Sequence, residues 1–372
     1  MKYAKVSLGL PIDELFDYSI PAPIFENCTP GSRVLVSFGR RNLIGYVVGL
    51  AKNTRIRNIK PLIRLIDQRP ALSENILKLT RVVSRYYCSS WGEAIQAALP
   101  IGVRRGLAID TSEEALSQKN QAEEYKINLI CANSYNERME TYFVEITKNI
   151  ENGKSVIILS PEIKSALIMF DKIKNKYSDK VRVTYRKQKP KEELEIWEAA
   201  RSGRINILIG TRPAVFAPFL NLGLIIVDDE DGYGYKEEQV PYYHARDVAL
   251  MRAQLEKIPV IISGRTPTLE SYYAFKTKNT RPANNLAFSA AKQPKVTIVD
   301  MKQYSLQKNN KNVIISVALE DKISRALKAG KKTIIFINRK GFASLAYCRK
   351  CGFILQCDNC SSKLVYHLEE KK

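Results

Sequence analysis

The rhythm of hydrophobic and polar positions changes twice along this chain. Up to about residue 68, short apolar runs alternate with turn signals: KVSLGL, FDYSIP, TPGSRVLVSFGRRNLIGYVVGL and IRNIKPLIRLID. Gly31, Gly39 and Gly45 punctuate runs of Val, Leu and Ile, which predicts a small β-rich module, drawn here as a barrel. Residues 71–98 show helical spacing, with Ser73 as N-cap and a break at 89–92, and Pro100 to Arg105 closes the module. A polar, acidic stretch over 106–125 reads as a linker. Apolar strands then alternate with amphipathic helices: INLIC, SVIILS, VRVTY, INILIG, LGLIIVDD and PVIISG are the strands, and EELEIWEAARSG is one of the helices. That order predicts βαβ units and a parallel sheet covered on both faces over 126–300. A second start, the helix ISVALEDKISRALKAG and the strand KKTIIFINRKG, fills 301–347 ahead of a cysteine cluster at 348–372.

The 372 residues suit two or three domains. Lys and Arg number 59 against 38 acids, a formal charge of +21, which points to a polyanion such as nucleic acid, although a lysine-rich proteome would give the same excess. The run DKIKNKYSDKVRVTYRKQKPK fits a solvated face better than a binding site. No stretch of about 18 apolar residues occurs and the N-terminus lacks a signal-peptide core, so a soluble cytoplasmic protein without membrane partners is expected. Of seven cysteines, Cys28, Cys88 and Cys131 are expected to be buried thiols. Cys348, Cys351, Cys357 and Cys360, spaced C-x2-C-x5-C-x2-C, suit zinc better than disulfides, with His367 as a spare ligand. The gap between the two knuckles is short for one shared ion. His244 is expected to be a helix-packing residue. The strand LGLIIV runs into Asp228, Asp229, Glu230 and Asp231, an arrangement that nucleotide hydrolases use to hold magnesium and water.

Taken together, LSPEI, GTRPAVFAPFLNLGLIIVDDED, YKEEQVPYYHARDVALMRA and RTPTLES resemble the first helicase lobe of the bacterial replication-restart helicases of the PriA (primosomal protein N′) family. FDYSIP and RVLVSFGRRNLIGYVV resemble that family's 3′-end DNA-binding domain, and FINRKGFASLAYCRKCGFILQCDNC the start of its second lobe and zinc insertion. The resemblance implies an α/β fold with a small β-rich DNA-binding module over 1–105, a RecA-like parallel-sheet helicase lobe, and a partial zinc-binding segment. It also implies that the family's winged-helix domain is missing between the first two.

The family's nucleotide chemistry departs here. Where a glycine-rich phosphate loop with Lys would stand, the chain reads INLICANSYNERMETYFVEI, with Asn136-Glu137 near the place of Gly-Lys. D-E-E-H becomes Asp228-Asp229-Glu230-Asp231, which withdraws the water-activating carboxylate by about 1.5 Å. The S-A-T motif reads Gly264-Arg265-Thr266. ATP and magnesium are therefore not expected; the four acids are read as a vestigial, solvated turn and GTRPAVFAPF as a buried loop. The DNA-end pocket implied by the resemblance falls on Phe16, Asp17, Gly39 and Lys60. Phe16 would stack on the last base, Asp17 accept from the 3′-hydroxyl, Gly39 admit the backbone, and Lys60 with Arg40 and Arg41 take phosphate charge. The expectation is a fork- or 3′-end-binding protein that nucleates assembly of primosome or helicase-loading proteins without ATP hydrolysis. A 3′ to 5′ helicase completed by a second polypeptide, and a truncated remnant, are the rivals.

Overall fold

The computed structural model describes residues 2–109, 124–131, 134–186, 188–277, 295–301 and 315–336, together with Cys351, Phe353, Ile354 and Gln356. The chain forms two compact units, Met1–Ala291 and Lys292–Lys372.

The first unit opens with an antiparallel sheet of β1 (Tyr3–Leu8), β2 (Phe16–Ser19), β3 (Arg33–Phe38), β4 (Arg41–Ala51) and β5 (Arg64–Leu65), in the order β2-β1-β4-β3-β5. Strand alternation selects its core: Ala4, Val6 and Leu8 of β1 and Val34 and Val36 of β3 are buried with Tyr18, Val47 and Leu62. The segment ahead of β5 returns to the opposite edge. Ser19 N donates to the Lys60 carbonyl and Leu62 N to that of Ser19, both at 3.0 Å, while Ile63 N donates to Leu35 O at 2.9 Å. The sheet is thus drawn toward the expected barrel by a two-bond bridge rather than a continuous ladder.

Helices α1 (Glu74–Tyr86), α2 (Trp91–Ala97) and α3 (Ile101–Arg104) follow. The Ser73 hydroxyl caps α1 by accepting from Ile76 N, and Ser90 with Glu93 forms a capping box on α2, so the helical break is built by a second start signal. A buried ion pair fastens this layer. Arg33 donates from Nε and a terminal nitrogen to the two Asp67 oxygens at 2.7 and 2.6 Å, and also to the carbonyls of Val103 and Leu107.

The parallel layer contains β6 (Ile127–Cys131), α4 (Tyr135–Glu151), β7 (Ser155–Leu159), α5 (Ile163–Tyr177), β8 (Val181–Thr184), α6 (Pro190–Arg201), β9 (Ile207–Gly210), β10 (Leu222–Val227), α7 (Ala245–Glu256), β11 (Val260–Gly264) and α8 (Leu269–Thr277). Strand order is β6-β11-β10-β7-β9-β8, every pair parallel. β7, β9, β10 and β11 are buried throughout because helices cover both faces. One face packs on α4 and α5 through Tyr142, Ile146, Met169 and Ile173. The other core, with Trp197 of α6 and Val248 of α7, continues into Leu79 and Val83 of α1 and Ile95 of α2. This is the α/β class expected, with a β-rich module and a parallel-sheet lobe covered by helices on both faces.

In the second unit Ser316 caps α9 (Val317–Lys328). The strand expected over KKTIIF does not form: residues 331–336 carry no ladder among the described residues. Most of the linker (110–123) and Cys348, Cys357, Cys360 and His367 lie outside the described residues. Cys88 is exposed and Cys131 half-buried, whereas only Cys28 of the three scattered thiols is buried as expected. No helix among the described residues is long and apolar enough to cross a membrane.

Candidate nucleic-acid interface and strand-end carboxylates

β2 carries the first two predicted DNA-end residues, and its pleat separates them. Phe16 and Tyr18 face the barrel core, while Asp17 points to the opposite side, where it pairs in register with Lys5 of β1. The Asp17 carboxylate accepts from Lys5 Nζ at 3.3 Å and from the Thr54 hydroxyl at 2.7 Å. The Phe16 ring meets Phe38 edge to face, centroids 5.1 Å apart. Phe38 leads into the Gly39-Arg40 turn, where Gly39 has φ +59 and a Cβ would meet nothing within 4 Å; the backbone angle, not space, calls for glycine. Arg40, Arg41 and Lys60 are exposed.

The structure therefore joins Phe16 to the Gly39 turn through Phe38, and Lys60 to β2 through its own carbonyl. It does not gather the predicted residues into one cavity. A hollow of about 600 Å³ beside the end of β2 is lined by Lys2, Tyr3, Ser19, Ile20 and Phe25 among others, and by none of Phe16, Asp17, Gly39 and Lys60. Sequence reasoning missed Lys5 and Thr54, which position Asp17, and the exposed Lys52, Arg55 and Arg57. The signal for the latter was present in KNTRIRNIK, a cationic run with polar spacing; nothing marked Thr54.

At the carboxyl end of β10 the acids divide. Asp228 and Glu230 are each 1 % exposed, Asp229 lies in the left-handed region at φ +45, and Asp231 is exposed. The solvated turn expected from the sequence is corrected for two of the four, since a strand covered on both faces delivers Asp228 into the interior. There the Arg138 Nε donates to Asp228 at 3.0 Å, a terminal nitrogen of the same guanidinium lies 2.9 Å from Asp229, and the Tyr142 hydroxyl donates to Asp228 at 2.7 Å. Ser263 of β11 touches the Tyr142 hydroxyl and donates to Val227 O at 3.2 Å. Burial pushes the Asp228 carboxyl above the usual carboxylate range, against the pull of Arg138 and Tyr142. Burial also works against the Arg138 charge, but Asp228 and its neighbours outweigh it and raise that pKa.

Glu230 accepts from Arg246 at 2.9 Å, from Thr268 N at 2.8 Å and from the Ser271 hydroxyl at 2.9 Å. Arg246 also bonds Asp247, and Asp247 accepts from the Tyr87 hydroxyl at 3.3 Å, so the acid turn is linked to the end of α1. His244 precedes α7 as its N-cap residue, and its backbone N–H donates to the same Tyr87 oxygen at 3.1 Å. Asn136 and Glu137 lie in the first turn of α4; Asn136 accepts from Lys172 at 3.3 Å. The GTRP loop is buried from Ala214 to Ala217, as expected. Arg138 escaped sequence reasoning, although an arginine sharing a helix face with Tyr142, Ile146 and Asn149 is a signal of a buried partner. Among the described residues no group of three His, Cys, Asp or Glu side chains is arranged to hold a metal.

Known proteins share much of this sequence. The model of the 3′DNA-binding domain (3′BD) matches residues 5–100. Replication restart protein PriA of Bacillus subtilis is 32% identical over 271 residues, covering 72% of this chain and 33% of that protein. PriA of Treponema pallidum is 28% identical over 392 residues, covering 98% of this chain and 58% of that one. The chain thus spans between one third and three fifths of the length of these two relatives. Of solved structures, the DEAD-box helicase Mss116 bound to ssRNA and UDP-BeF gives a TM-score of 0.31 at 13% identity over 68% of this chain and 51% of that one, too slight a likeness to argue from. Across nearly all of its residues the chain is PriA-like, with a 3′ DNA-binding domain at its N-terminal end.

Proposed function

We propose that this protein binds 3′ DNA ends at stalled forks for replication restart, and that it does so without hydrolysing ATP. The observation that carries the reading lies within the matched 3′ DNA-binding domain, where exposed Arg40, Arg41, Lys52, Arg55, Arg57 and Lys60 stand on a turn and a loop that reach the Phe16–Asp17 strand through Phe38, Thr54 and the Lys60 carbonyl. Cationic side chains on a turn and a loop can follow a phosphate backbone and release its counterions. Asp17 already takes two donors, but an ionised carboxylate has about four acceptor positions and can take a terminal hydroxyl as a third. A 3′-phosphate at the same place would meet that carboxylate as a like charge.

The phosphate side supports the absence of hydrolysis. By the family resemblance Asn136 and Glu137, in the first turn of α4, stand near the place of the Gly and Lys of a phosphate cradle, and a second polypeptide cannot supply backbone inside this lobe, which disfavours a two-chain helicase. The protein would then mark the fork and offer a platform to primosome or helicase-loading proteins. Zinc on Cys348, Cys351, Cys357 and Cys360 belongs to the same proposal, resting on ligand type and spacing.

Fluorescence anisotropy on a fork with a 3′-hydroxyl at the junction, against the same fork ending in a 3′-phosphate, at about 150 mM salt, tests it. One hydrogen bond to a charged acceptor is worth about 1.5–3 kcal/mol, so a preference of about 10- to 150-fold for the hydroxyl fork is expected, abolished by Asp17→Ala. Equal binding to both forks refutes end recognition.

A further inference from the structure

In an open parallel sheet, ligands sit in the crevice beyond the carboxyl ends of the strands, and a strand-end carboxylate there serves a divalent cation and its phosphates. β10 supplies such carboxylates, but they are engaged. Arg138 reaches both Asp228 and Asp229, at 3.0 and 2.9 Å, and is itself 3 % exposed on its side chain. Tyr142, one turn further along α4, takes Asp228 as well. Magnesium demands near-octahedral oxygen ligands at about 2.0–2.1 Å and keeps several waters. A guanidinium bonded to both carboxylates puts a fixed positive charge where the cation would sit. In the first turn of α4, which would face the phosphates, Glu137 is an anion, the cation Arg138 is engaged by Asp228 and Asp229, and the Tyr135 ring is capped by Lys172 at 4.5 Å. These residues do not fit a magnesium–nucleotide pair.

We propose that Arg138 is a built-in replacement for the divalent cation, holding Asp228 and Asp229 in place so that the lobe stays assembled with no nucleotide bound and serves as a permanent support for the DNA-end module. Arginine suits this role because it is always charged, and its planar fork spans two carboxylates where a lysine would meet one. Asp228, 1 % exposed, needs a counterion from within the chain, since no solvent ion reaches it. The support continues outward. Glu230 holds Arg246, Arg246 holds Asp247, and Asp247 holds Tyr87 at the end of α1, so the arrangement of the acid turn is passed to the module's helices by direct bonds. This inference rests on the reading that the lobe does not use nucleotide.

The test is thermal melting of the full chain in buffer without added divalent cation or chelator, in millimolar magnesium, and in magnesium with a non-hydrolysable ATP analogue, with manganese binding followed by electron paramagnetic resonance. Wild type is expected to melt at one temperature in all three and to show no tightly bound manganese; a stabilisation of several degrees by the cation or its nucleotide overturns the inference. Arg138→Ala is expected to melt about 6–20 °C lower, and to recover part of that loss in millimolar guanidinium or manganese. Melting of Arg138→Ala at the wild-type temperature overturns it too. Should that variant fail to fold, Arg138→Met/Asp228→Asn decides: recovered folding supports the counterion role, and continued failure, with Asp228 no longer charged, overturns it. Fork binding in the buffer without added divalent cation or chelator keeps the two readings apart. Loss of the 3′-hydroxyl preference there sinks end recognition while leaving the melting results to judge Arg138.

Discussion

Replacing Arg33 by Met should unfold the DNA-end module before it alters any contact with DNA. Arg33 and Asp67 are both fully buried, and the guanidinium spans the carboxylate with bonds of 2.7 and 2.6 Å. Its remaining donors go to the carbonyls of Val103 and Leu107, so one side chain ties β3 to the helical layer. Removing one partner of a buried pair costs about 3–5 kcal/mol because the other charge is left in the interior. Against a total stability of about 5–15 kcal/mol this is a large share. At about 2–4 °C per kcal/mol for a body of this class, Arg33→Met should lower the melting temperature by about 6–20 °C, read by circular dichroism. Arg33→Met/Asp67→Leu should recover most of the loss, since an apolar pair of similar volume is close to neutral. Asp67 also accepts from Ile109 N at 3.1 Å, which sets the part that cannot be recovered. A single variant that melts within about 2 °C of wild type, or a double variant below the single, would refute the account.

Arg40→Ala/Arg41→Ala should leave melting unchanged, because both side chains are exposed, yet flatten the plot of log affinity against log salt for single-stranded DNA by about 0.7 per lost phosphate contact. An unchanged salt slope would remove these two arginines from the interface. Burial holds the His244 imidazole below its usual pKa of 6.5, a larger effect than the opposing pull of Asp247. A base depressed on folding contributes stability that is complete above its unfolded pKa and lost as pH falls through its folded value. Melting of wild type should therefore drop more between about pH 7.5 and about pH 5.5 than melting of His244→Asn, which removes the titrating imidazole and keeps the backbone bond to Tyr87. Parallel pH profiles for the two proteins would assign the acid sensitivity to other groups.

Strand and helix positions were legible because period carries them: the apolar runs SVIIL, LGLIIV and VIISG lie on β7, β10 and β11, and Ser73 caps α1. Barrel closure was legible only as a composition of glycines and β-branched residues, since the bridge from Ser19 to Lys60 and Leu62 is a long-range backbone contact with no side-chain signature. The site was less legible. Phe16 and Asp17 are neighbours in sequence but opposite in space, so a pocket inferred from adjacent residue types needs the edge of β2, not one face of it, to receive a nucleotide.

The acid run shows why. Four consecutive carboxylates read as solvated while only their number is considered, because each repels the next. Once β10 is buried on both faces, the chain must place some of them inside, and each one inside demands a cation from elsewhere. Arg138 is 90 residues away and Arg246 is 16, and no local pattern announces either. The same step revises the argument from net charge. Arg33, Arg138 and Arg252 sit inside the protein beside Asp67, Asp228 and Glu256; each pair cancels and leaves the excess of +21 on other residues, so the total does not say where that excess is concentrated. What bears on DNA is where exposed cations are concentrated, and Arg40, Arg41, Lys52, Arg55, Arg57 and Lys60 lie within 21 residues of the matched 3′ DNA-binding domain. Charge placement, not charge total, makes the module rather than the lobe the place to look for the fork.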